Sequence, residues 1–251
     1  MRLNRFIGEY DLSKKEVEIV DPKTIKQIKT VLRLKVGDKI ILSNGKGHEA
    51  EITLDFFSAE KITGTKNNIP ARTSLAGIGV VKQVHLYLAI LKKENFELAV
   101  QKAVECGVSK ITPIITERTI KTGLSIPRLE KIILEASEQC GQNVVPDLFP
   151  ILDFEDAIEN AGGPARNASS IADAGGEKII FHLGKEAAKP PSPLGGLAAK
   201  LSIFVGPEGG FTQKEIELAK NSSFTVASLG PLTLRGETAA IIGTYRSVYG
   251  F

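Results

Sequence analysis

The sequence predicts an α/β protein, with a small β-rich module at residues 1–70 and a larger domain at 71–251 whose parallel sheet is covered by helices. Three observations carry this. Beyond residue 80, short apolar runs alternate with amphipathic stretches of helical length, the pattern of parallel strands joined by crossover helices. Before residue 67, brief alternating runs surround one helical stretch. Between the two, Asn67-Asn68-Ile69-Pro70 breaks both patterns and opens a linker reaching about residue 80.

In the first module, Pro22 suits a first helical position with Asp21 before it as cap. Ile25, Ile28, Val31 and Leu32 then fall on one helical face. Lys39–Leu42 and the alternating run His48–Leu54 flank an Asn44-Gly45 turn, which predicts a hairpin. Residues 58–66 make another strand.

In the larger domain, strands are expected at 84–90, 111–115, 178–182, 201–205 and 224–228. A helix over 94–105 buries Phe96, Ala99, Val100 and Ala103 and stops before Gly107. A second, over 128–139, buries Leu129, Ile132, Ile133 and Ala136. Residues 161–176, small and polar, read as a loop, and Pro190-Pro-Ser-Pro forbids a continuous helix. A closing helix is expected over 237–248.

No apolar run approaches the roughly 20 residues of a membrane span. The start Met1-Arg-Leu-Asn-Arg-Phe6 lacks a signal peptide's apolar stretch. A soluble cytoplasmic protein is the expectation. Two cysteines in unrelated contexts and three scattered histidines offer neither a disulfide framework nor a metal site. Net charge is only +3, but residues 1–123 hold 21 Lys/Arg against 14 Asp/Glu, and residues 124–251 hold 11 against 15. A balance of +7 in front and −4 behind points to an anionic partner such as RNA. A solvated lysine-rich surface would give the same split.

Two C-terminal loops stand out as places for chemistry. Gly206-Pro-Glu-Gly-Gly-Phe211 follows an apolar strand and runs into the capping box Thr212-Gln-Lys-Glu215. Leu229-Gly-Pro-Leu-Thr-Leu-Arg-Gly-Glu-Thr238 again joins a strand to a helix. Ligands of α/β sheets sit at the carboxyl ends of strands, and glycine lets backbone approach them closely. Two ordinary tight turns remain the alternative. No P-loop, Gly-x-Gly-x-x-Gly or Gly-x-Ser-x-Gly motif is present.

Together these loops resemble the paired C-terminal loops of the SPOUT methyltransferases, and more narrowly the RsmE family, which methylates N3 of a uridine in 16S ribosomal RNA. Arg5-Phe6 and Val31–Asp38 resemble that family's N-terminal module. Gln101–Val108, Pro113, Thr116-Glu-Arg118 and Glu135–Gln139 resemble its central segment. The match runs in order along nearly the whole chain. Two positions depart from the family's usual pattern, Gln142 in place of an arginine and Gly236 in place of a threonine.

The resemblance implies a PUA-like RNA-binding β-barrel and a SPOUT domain with a C-terminal trefoil knot. It further implies a homodimer acting on 16S RNA or the small ribosomal subunit, with S-adenosylmethionine held in the knot loops. Cofactor contacts are expected from Gly206, Glu208, Gly209 and Gly210, and from Leu229, Gly230, Leu232, Leu234 and Arg235. Leu183, beside His182 and Gly184, is expected to form a third wall. Arg235 is the candidate for stabilising charge on uracil, and Glu237 for orienting a helix start or taking a proton. Arg5 and Arg33 are candidates for RNA phosphate. Another SPOUT activity, such as ribose 2′-O-methylation, and a non-catalytic RNA-binding dimer remain alternatives. Small residues Ala239, Ala240, Gly243 and Ser247 on the closing helix would permit close helix approach between subunits.

Overall fold

The computed structural model describes residues 3–67, 82–120, 123–162, 176–184 and 200–250. They form two compact units, and Ser137–Val145 groups with the N-terminal one.

In the first unit, β1 (Asn4–Ile7), β2 (Glu16–Ile19), β3 (Lys39–Ser43), β4 (Glu49–Phe57) and β5 (Ile62–Lys66) lie in the order β1-β3-β4-β5-β2. β1 and β3 are parallel and the other pairs antiparallel. Ile40 and Leu42, with Ile52 and Leu54 on the partner strand, point inward at the two-residue period of a strand. Asp21 caps helix α1 (Pro22–Lys26), its carboxylate accepting the Thr24 N–H at 2.8 Å.

The helix continues as a π-helical turn over Gln27–Val31. Ile25 and Ile28 are buried, but Val31, expected on the same face, is 68% exposed. Leu32 donates its N–H back five residues to the Gln27 carbonyl. That wider turn advances the phase by one residue, so Leu32 meets the core where a regular helix would have brought Val31.

The Asn-Gly signal lies in the connection between β3 and β4, and the two strands pair antiparallel as a hairpin. The β3–β4 connection runs over Asn44–His48, with the Asn44 side-chain oxygen accepting the N–H groups of Lys46 (2.9 Å) and His48 (3.2 Å). The Asn44 N–H donates to the His48 carbonyl. This loop pairs with residues 143–145: Gly47 donates to the Asn143 carbonyl and Val145 to the Gly45 carbonyl, both at 2.9 Å. Glu138 accepts the Ile7 N–H at 2.8 Å. These bonds bring into the first unit a segment that the sequence places in the larger domain.

Among the described residues, the second unit holds seven parallel strands: β6 (Gln83–Ala89), β7 (Lys110–Ile115), β8 (Asp147–Leu148), β9 (Leu152–Asp153), β10 (Glu177–Phe181), β11 (Lys200–Val205) and β12 (Thr225–Ala227). Their order is β12-β10-β11-β6-β7-β8, with β9 also on β7. Helix α4 (Phe154–Gly162) and α5 (Gln213–Asn221) share one core with Tyr87, Ile180 and Phe204 of the sheet. Helices α2 (Lys93–Glu105) and α6 (Gly236–Tyr249) pack on each other, and α6 against β6 and β11. Helix α3 (Ile126–Cys140) buries Leu129, Ile133 and Ala136. The expected linker past residue 67, most of the expected 161–176 loop and the Pro190 stretch lie outside the described residues, but Ala161 and Gly162 belong to α4.

The small residues of α6 serve this packing within the chain. Ala240 and Ser247 are buried, and a Cβ on Gly243 would stand 2.8 Å from the Phe181 ring. Its outer face instead carries Tyr245 and Tyr249, 46% and 42% exposed, with ring centroids 4.8 Å apart. Among the described residues no helix is long and apolar enough to cross a membrane.

Candidate active site

Strand β10 lies between β11 and β12, so three parallel strands end side by side. The loops leaving their carboxyl ends line one cavity of about 320 Å³. Nine of the ten residues expected to touch a cofactor line it, Arg235 being the exception: Leu183 after β10; Gly206, Glu208, Gly209 and Gly210 after β11; and Leu229, Gly230, Leu232 and Leu234 after β12.

The first loop is shaped by its glycines. Gly210, at φ +68°, donates its N–H to the Pro207 carbonyl at 2.8 Å and closes a tight turn. A Cβ on Gly206 would stand 3.1 Å from the Phe211 ring. Thr212 and Glu215 then form the predicted capping box at the start of α5, a device on the order of 1 kcal/mol. Glu215 does more than cap. Its carboxylate accepts the N–H groups of Thr212 (2.7 Å) and of Glu117 (2.9 Å), while the Thr212 hydroxyl donates to the Glu117 carboxylate at 3.1 Å. Arg118 donates to the Gly209 carbonyl at 2.7 Å. The segment after β7 is thus fastened to the cavity wall, and Arg118 itself lines the cavity. Glu208 accepts the N–H of Lys92, the residue that opens α2, at 3.2 Å.

In the second loop the Ser228 hydroxyl donates to the Gly230 carbonyl at 2.7 Å. Gly236, where the resemblance leads one to expect threonine, lines the cavity, and a Cβ there would stand 2.7 Å from a Leu91 methyl. The absent side chain leaves room for that leucine.

The two residues singled out for chemistry part company. Arg235 caps α6 with extended backbone and its side chain is 85% exposed, beside the cavity but outside its lining. Glu237 is buried in the first turn of α6, with one carboxylate oxygen 4.0 Å from Arg235 and the other without a hydrogen-bond partner. It does not line the cavity, which favours the orienting role over the proton-accepting one. In the first unit, Arg33 is exposed, at a positive φ of 53°. Arg5 is not available to phosphate. Its side chain, 6% exposed, forms a buried ion pair with Glu49. Breaking that pair would strand a charge in the interior. Among the described residues no group of His, Cys, Asp and Glu gathers as a metal site.

Sequence reasoning missed Arg118 as a wall residue. Thr116-Glu-Arg118 carried part of the resemblance, but nothing local in it points 91 residues along the chain to Gly209.

An RNA methyltransferase domain profile matches residues 80–245, and an RNA methyltransferase PUA domain profile matches residues 20–54. The ribosomal RNA small subunit methyltransferase E of Rickettsia conorii is 30% identical, over 96% of this chain and 93% of that protein. The chain belongs to the ribosomal RNA small subunit methyltransferase E family. Two solved relatives agree along the whole length. The family's enzyme from Neisseria gonorrhoeae, bound to S-adenosylmethionine, is 26% identical with a TM-score of 0.77, covering 97% of this chain and 95% of that one. A methyltransferase from Legionella pneumophila, also with the cofactor bound, is 27% identical with a TM-score of 0.73, covering 97% and 96%.

Proposed function

We propose that this protein methylates N3 of a uridine in 16S ribosomal RNA, with S-adenosylmethionine as donor. The observation that carries this reading is the convergence of three strand-end loops on one cavity in a member of this family. The residues present fit such a cofactor. The volume lies in the range of small-molecule sites, backbone is brought close by Gly206, Gly209 and Gly210, and Leu183, Leu229, Leu232 and Leu234 offer an apolar slot for adenine. The bound cofactor supplies an electrophilic methyl on sulfur. The chain supplies positioning, with Arg235 presented for a uracil oxygen and Glu237 orienting the start of α6.

Residues 1–70 form the RNA-binding PUA-like barrel in this reading and 71–251 the SPOUT domain, with the loops after β11 and β12 forming the trefoil knot. Arg33 and the basic front half meet RNA phosphate, in 16S RNA or the small subunit, in the cytoplasm. Loss of N3-methyluridine from 16S RNA nucleosides when the gene is deleted is the expected result. Loss of a 2′-O-methylated nucleoside instead would reassign the reaction to ribose.

The protein acts as a homodimer, a reading favoured by the exposed Tyr245–Tyr249 pair on α6. Sedimentation at micromolar concentration should give a species larger than the 27.0 kDa chain, and a monomer alone would overturn the dimer.

A further inference from the structure

Among the described residues lining the cavity, Arg118 and Glu208 carry charged side chains. The Glu208 carboxylate accepts the Lys92 N–H at the opening of α2. Arg118 donates one Nη1 bond to the Gly209 carbonyl. A guanidinium carries five donors, so that bond leaves capacity for an anionic ligand. The stem of Arg118 lies across Gly209, where an added Cβ would stand 3.2 Å from Cδ. Behind it, Glu117 is tied to both Thr212 and Glu215. Contacts on both sides therefore hold this guanidinium at the cavity wall before any ligand arrives, which lowers the ordering cost of using it.

We propose that Arg118 binds the α-carboxylate of the methyl donor, so that the segment after β7 recognises the amino-acid end of the cofactor. The inference rests on the cofactor reading above. S-adenosylmethionine carries one permanent anionic group, its α-carboxylate, and Arg118 is the arginine among the described residues of the lining. A planar guanidinium matches a carboxylate with two parallel bonds, an arrangement an ammonium lacks.

The test compares S-adenosylmethionine with decarboxylated S-adenosylmethionine, which differs only in that group, by calorimetry on the full-length protein. Arg118→Gln keeps an amide donor for the Gly209 carbonyl but removes the charge. Arg118→Lys keeps the charge but loses the fork. The wild-type protein should bind S-adenosylmethionine at least about tenfold more tightly than the decarboxylated form. Arg118→Gln should erase most of that preference while leaving the affinity for the decarboxylated form within about twofold, and Arg118→Lys should restore part of it. Equal loss of both ligands in Arg118→Gln would make Arg118 a holder of the loop and overturn the inference. So would unchanged binding of both with weakened affinity for RNA, which would assign the guanidinium to phosphate. If the wild-type protein binds neither ligand, the cofactor reading fails and this inference with it. If it binds both equally, this inference alone fails.

Discussion

Replacing Arg235 with alanine is expected to lower turnover by about 10²-fold or more, the usual scale for removing one donor to a developing oxyanion. Uracil N3 carries a proton and is a poor nucleophile until the proton leaves, so a site working at neutral pH must favour the anion. A guanidinium is always charged and offers paired donors to a carbonyl oxygen gaining charge. The side chain is 85% exposed at the cap of α6, between the cavity residues Leu234 and Gly236. It is therefore presented to an incoming base. Its carboxylate neighbour, Glu237, lies 4.0 Å away, too far for a tight ion pair that would neutralise it. Cofactor affinity should change little, because a contact made only in the transition state does not enter ground-state binding. Arg235→Lys should recover only part of the rate, and raising the pH should partly rescue Arg235→Ala by supplying uracil anion from solution. Single-turnover kinetics with saturating RNA and cofactor provide the measurement. A wild-type rate for Arg235→Ala would make the arginine structural.

Gly209→Leu is expected to abolish cofactor binding while the protein stays folded. Gly209 is exposed in the loop after β11, so the apolar core does not depend on it. Its Cβ direction is occupied by the stem of Arg118, 3.2 Å away. A four-carbon side chain must displace that arginine or project into a cavity of about 320 Å³. Either outcome removes a wall or fills the slot. Gly209→Ala is the graded control, because a single methyl asks only a few tenths of an ångström from a flexible side chain. Calorimetric titration with S-adenosylmethionine, alongside thermal melting, distinguishes a blocked site from an unfolded protein. Wild-type affinity for Gly209→Leu would remove the first loop from the cofactor site.

How far the sequence alone carries is clearest at particular residues. Apolar spacing along α2 identified Phe96, Ala99, Val100 and Ala103, all fully buried, because a regular helix repeats its face at fixed intervals. The same reasoning misplaced Val31, since one residue added to a single turn shifts the face and leaves no trace in composition. Helix α4 was overlooked, although Phe154, Ala157, Ile158 and Ala161 have helical spacing and are buried, because the small polar run that follows obscured its end.

At the site, short stretches of sequence are enough for the glycine-rich turns at strand ends and for the capping box that opens α5. These rest on backbone conformation and on hydrogen bonds between near neighbours, which a short segment encodes. Which distant groups share a wall follows only from the folded chain. Arg5 turned inward to Glu49, 44 residues away, rather than out to phosphate. Arg118 reached Gly209, and Glu215 reached Glu117, across 91 and 98 residues. Gly243 leaves room for the Phe181 ring, 62 residues earlier in the chain. Such pairings follow from strand order, and strand order is settled by how the whole sheet and its helices bury their apolar faces together.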